Sequence, residues 1–66
     1  MLGMTIRTGA DIVYSDHDGG WWIELWKQET HDSLPYGTGK ESPMFNNRSQ
    51  AEEWARDNGA TVLLYP

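Results

Sequence analysis

Apolar and polar residues alternate most clearly between Ile12 and Lys27, a run that holds three of the chain's four tryptophans. Two β-rich halves flank Asp18-Gly19, a dipeptide suited to a type I′ turn, whose two central residues take positive φ. A hairpin closed there places Asp16 opposite Trp21, Ser15 opposite Trp22, Tyr14 opposite Ile23, Val13 opposite Glu24, Ile12 opposite Leu25 and Asp11 opposite Trp26. Opposed residues share a face. One face then carries Ile12, Tyr14, Trp21, Ile23 and Leu25 and should be the core. The other carries Asp11, Val13, Ser15, Trp22, Glu24 and Trp26, mixing polar groups with two tryptophans. A one-residue slip would exchange the two sets. The first strand is expected from about Asp11 to Asp16, after a weak strand signal at Thr5 to Thr8 and then Gly9.

Residues 28–40 are polar and punctuated by Pro35, Gly37 and Gly39, which predicts one long loop. A short third strand follows over 41–45, where Pro43 argues for a sheet edge. Residues 46–58 predict the one helix. Asn47 is a suitable N-cap with Gln50 three residues on, and this start would put Glu52 and Glu53 near the positive helix end. Ala51, Trp54, Ala55 and Asn58 form the apolar stripe, with Trp54 filling the space between the alanines, and Gly59 suits the left-handed residue after the helix. Residues 60–65 are almost wholly apolar and predict a strand paired well inside the sheet. The fold class is thus α+β: a small β-β-β-α-β domain whose sheet is mostly antiparallel, with one helix on one face. The expected strand order is third-second-first-fourth, the last strand parallel to the first.

Sixty-six residues make a single domain, 1–66, with 1–4 expected to be a mobile leader. So short a chain buries only about 60 % of its unfolded surface, and its core is marginal. With no cysteine, it can form neither a disulfide nor a thiolate metal site, which favours a cytoplasmic setting. No apolar run approaches the length of a membrane span, and the N-terminus lacks a signal-peptide pattern. The net charge of −5, with no Lys/Arg cluster, disfavours direct nucleic-acid binding.

Chemistry-bearing motifs are thin. Asp16-His17-Asp18 has metal-ligand residue types, but adjacent strand residues point apart, so a solvated turn is the better reading. Gly37-Thr38-Gly39-Lys40 lacks the spacing and following helix of a phosphate loop. His31, Asp32 and Ser33 are consecutive and cannot converge as a triad. No catalytic residue, metal ligand or cofactor is expected, and the chain is read as a non-enzyme.

One helix covers one face of a four-stranded sheet. The other face meets a partner, or the 28–40 loop folds over it through Leu34, Pro35 and Tyr36. Exposed apolar patches on small proteins mark interaction sites, and tryptophan anchors them. Trp22, Trp26, Glu24, Asp11 and Tyr36 are therefore the candidate protein-binding residues. A homodimer through the same face is the alternative.

The run His17-Asp18-Gly19-Gly20-Trp21, then Phe45 to Ala55, then Asn58-Gly59-Ala60 before an apolar strand, resembles a group of small bacterial and phage domains of unknown function. The likeness spans about residues 12–65 and brings no catalytic residues. The pattern of three strands and a helix is also similar to arm-type DNA-binding domains of phage integrases. Those are basic, whereas this chain is acidic. Small size, acidity and the tryptophan face suggest a phage or mobile-element accessory protein, for instance an anti-CRISPR-type inhibitor of a host defence nuclease, with its acidic groups competing for a nucleic-acid groove.

Overall fold

The computed structural model describes residues 6–66, and the expected leader over 1–4 lies outside them. The elements are β1 (Arg7–Ser15), β2 (Gly20–Gln28), β3 (Tyr36–Glu41), α1 (Arg48–Asp57) and β4 (Val62–Leu64). They build one sheet in the order β3-β2-β1-β4. β4 runs parallel to β1, and the other neighbours are antiparallel. This is the expected α+β arrangement.

The central hairpin keeps its expected faces in a different register. Ser15 pairs with Gly20, Tyr14 with Trp21, Ile12 with Ile23 and Asp11 with Glu24. Asp16 to Gly19 thus form a longer connection, not a two-residue turn. Gly19 has φ +68°, but among the described residues no non-glycine residue has positive φ, so Asp18 cannot serve a type I′ turn. Ser15 holds the longer turn instead. Its carbonyl accepts the Gly19 N–H at 2.8 Å and its hydroxyl oxygen accepts the Asp18 N–H at 3.2 Å. Moving the pairing by an even step returns each side chain to the same face, which is why the faces survive.

The core joins Ala10, Ile12, Ile23 and Leu25 of the hairpin to Ala51 and Ala55 of α1, with Ala60 beyond. The two helix alanines have no exposed surface, so backbone lies close on sheet. Trp54 is only half-buried where it packs against this cluster, its ring 6.3 Å from that of Phe45. Asn47 caps the helix as expected, its side chain accepting the Gln50 N–H at 2.9 Å. The first turn carries no acid, because α1 begins at Arg48 and Glu52 falls in the second turn. Gly59 follows the helix at φ +91°.

The outer edge of β2 differs most from expectation. The stretch 28–40 is not one loop, since β3 occupies Tyr36–Glu41. The strand expected at 41–45 reduces to a single bridge between Phe45 and Trp21. Pro43 has no N–H to give a ladder there. Ser42 fills the break, its hydroxyl oxygen accepting the Ile23 N–H at 2.8 Å. β4 is also shorter than expected and lies at the other edge, pairing only with β1. Its apolar run serves two faces: Leu63 packs on the core, while Val62 and Leu64 alternate onto the other side.

Candidate functional site: the bare face of the sheet

The face away from α1 is ordered in rows across the strands. One row is Val62, Gly9, Trp26 and Gly37. The next is Leu64, Asp11, Glu24 and Glu41. Beyond it Val13 stands opposite Trp22. On the near side Arg7 stands opposite Gln28.

Trp26 lies flat in the first row. A Cβ on Gly9 would sit 2.0 Å from its ring, so only glycine lets the indole down onto β1. The Arg7 guanidinium covers it at 5.4 Å from the ring centroid. Arg7 is held there by Gln28, whose side-chain oxygen accepts the Arg7 Nε–H at 2.6 Å. The Gln28 amide in turn donates to the Ser33 carbonyl at 2.9 Å, tying the 29–35 loop to β2. Trp26 is consequently only 7 % exposed. The expectation of two exposed tryptophans is corrected: one is a structural plate of the sheet. The 28–40 segment does not provide the cover either, since Leu34 is 86 % exposed.

Trp22 remains half-buried on this face, between Val13 and the acidic row. In that row Asp11 is half-buried, and Glu24 and Glu41 are exposed. Like charges directly opposite one another destabilise a sheet. Here three carboxylates stand in successive strands, spaced by about the 4.8 Å between neighbours. Within the described residues none of them forms an ion pair, the one pair being Arg48 with Glu52, although Arg7 borders the same groove as Asp11 and Glu24. Lys40, beside Glu41 in sequence, turns toward the helix, donating to Asn58 Oδ1 and lying over the Trp54 ring.

Two grooves flank Glu24. One, of about 320 Å³, is bordered by Arg7, Asp11, Trp26, Pro35 and Leu64. The other, of about 440 Å³, is bordered by Trp22, Lys40, Glu41 and Ser42. Tyr36 touches the first groove but stands opposite Lys27 in the ladder, so its row belongs to the helix side. Its hydroxyl donates to Glu29, and that bond raises its pKa above the ordinary phenol value, helped by desolvation and the carboxylate charge. The five sequence-chosen residues therefore divide. Asp11, Trp22 and Glu24 meet on one surface, Trp26 floors it, and Tyr36 stands at its margin.

Sequence reasoning places Val13 on this face without choosing it for the site, and misses Glu41 and Leu64. Glu41 is expected at the start of a strand that in fact begins five residues earlier, and Leu64 in a strand paired well inside the sheet, with no face assigned to its residues. The chain matches no protein-family model, no curated protein and no solved structure. The chemistry of this face must be read from its own side chains. Asp16, His17 and Asp18 are all exposed at the hairpin tip, and among the described residues no group of three carboxylates or imidazoles has a metal-holding arrangement.

Proposed function

We propose that this chain is a non-catalytic protein-binding module that docks through the sheet face α1 leaves bare. The observation that carries the reading is Trp22: a large indole left partly exposed beside Val13, on a face where Trp26 has been buried with a glycine and an arginine. Burying one tryptophan while leaving its neighbour partly exposed separates a scaffold role from a contact role. The acidic row on the same face forms no ion pair among the described residues, and groups that weaken a fold are retained where they serve contact.

One concrete form is a phage or mobile-element accessory protein that inhibits a host defence nuclease complex. The net charge of −5 and the acidic, tryptophan-bearing face motivate it. A cytoplasmic site of action fits that role, and among the described residues no helix is long and apolar enough to cross a membrane. A homodimer through the same face is less well supported, because a two-fold contact there would bring the acidic rows of two copies together.

The test is affinity capture at low salt, with wild type and Trp22→Ala immobilised side by side against a host lysate. The reading expects at least one protein held by wild type and lost from the variant, with both proteins equally folded by circular dichroism. If every captured protein were retained equally by both, Trp22 would have no contact role. The nuclease form adds an expectation of its own: cleavage by the captured complex should fall as the protein is titrated in.

A further inference from the structure

We infer that the occupant of the bare face is an arginine-bearing segment of a protein partner, whose cations sit along Asp11, Glu24 and Glu41 and whose guanidinium planes stack on Trp22. This rests on the docking role proposed above and gives the partner its chemistry.

Charge complementarity decides the occupant. The three carboxylates form one unbroken cross-strand row, and within the described residues none is in an ion pair; two cations, Arg7 and Lys40, border the flanking grooves but are engaged with Gln28 and Asn58. An anionic occupant such as nucleic acid would meet that row directly and be repelled. A second copy of this chain would bring a second acidic row. A purely apolar segment would bury the carboxylates unpaired, which is strongly unfavourable. A cationic segment relieves the repulsion that the folded chain otherwise carries.

The surface around the row favours arginine over lysine. The two grooves lie on either side of Glu24, giving long side chains room to reach its carboxylate from both flanks. Planar guanidinium groups bind carboxylates in a fork and also stack on aromatic faces, whereas an ammonium is a point charge. The face already contains one such arrangement: Arg7 lies over Trp26 with its Nε–H bonded to Gln28. Trp22 is the neighbouring indole with no guanidinium over it among the described residues. Leu64 and Val13 provide apolar footing for the aliphatic stems of the incoming side chains.

The experiment is a titration of a fluorescein-labelled Arg-Ser repeat dodecapeptide followed by anisotropy, with the Lys-Ser and citrulline-Ser peptides as comparisons. Three variants are used. The first neutralises the row with Asp11→Asn, Glu24→Gln and Glu41→Gln. The second removes the same charge elsewhere with Asp16→Asn, Glu53→Gln and Asp57→Asn. The third is Trp22→Ala. The row variant should fold at least as stably as wild type, because it loses a repulsion, so weaker binding cannot be blamed on unfolding. Expected are wild-type binding in the order Arg over Lys over citrulline, and a loss of about tenfold or more in the row variant. The off-face variant should stay within about threefold of wild type, since rim and distant charges act mainly through the long-range field. Equal losses in the two triple variants would overturn the inference, showing that binding follows net charge alone, and so would no wild-type binding at low salt. If the row variant loses nothing while Trp22→Ala still abolishes lysate capture, the cationic occupant is wrong and the docking role stands. If Trp22→Ala changes neither readout, both fall.

Discussion

Gly9 and Trp26 are one structural decision made at two positions. The indole lies where a β-carbon on residue 9 would be, 2.0 Å from the ring. Gly9→Ala should therefore destabilise the domain by about 1–3 kcal/mol in urea unfolding, as overpacking does. Gly9→Ala combined with Trp26→Leu should recover part of that loss, because the smaller side chain vacates the space. If the double variant were worse than Gly9→Ala alone, the contact would not be the cause. This pairing was illegible in the sequence for a definite reason. The shortest plausible turn at Asp18-Gly19 puts Asp11 opposite Trp26, and only the longer connection held by Ser15 brings Gly9 there. Parity alone placed Trp22 and Trp26 on the same face correctly. It could not say which of them would be covered.

The elements differ in how far local sequence determines them. The helix was legible because its signals are local: Asn47 caps it, alanines mark its buried stripe, and Gly59 follows it. Asn47→Ala should lower stability by about 1 kcal/mol, and a melt indistinguishable from wild type would deny the cap any role. Trp54 was misplaced in degree, since its position on the stripe does not reveal that it stays half-buried, its ring meeting Phe45. β3 was misplaced outright. Its sequence, Tyr-Gly-Thr-Gly-Lys-Glu, has loop composition, and it is a strand because β2 offers it an edge to pair with. Past Glu41, pairing continues through a side chain. Ser42→Ala would leave the Ile23 N–H, on one of the two most buried large residues, without its partner. The expected loss is about 1–3 kcal/mol, read as a lower midpoint in denaturant with unchanged slope.

At the scale of the whole molecule, a small core carries a surface charged against itself. Ten acidic residues face five basic ones, and one ion pair is formed among the described residues. Added salt should then stabilise the protein: its melting temperature should climb between about 0.01 and 0.5 M sodium chloride, as screening lengths shrink from roughly 30 Å to a few ångströms. A fall over that range would mean attractive pairs dominate. The same repulsion predicts a monomer on a sizing column with light scattering across a wide concentration range at low salt. The overall topology was readable because it follows from element order and sidedness: two long strands joined by a turn, one helix, and a last strand that had to return beside the first. The bare face was readable too, from the shortage of helices to cover it. Its acidic row was not, because it assembles residues from three strands and depends on the register of each pair.

β2 is enclosed as no other strand is. On one side its whole length pairs with β1, and on the other it meets residues 36–37, Glu41, the Ser42 hydroxyl and Phe45 in turn. The improvised outer edge is what completes this enclosure. In deuterated buffer the amides of β2 should accordingly be the last to exchange, on the timescale of global unfolding, while those of the three-residue β4 should exchange much sooner by local opening. The strand that presents Trp22 and Glu24 to a partner would then be the least yielding part of the protein, an anvil against which the partner does the adjusting.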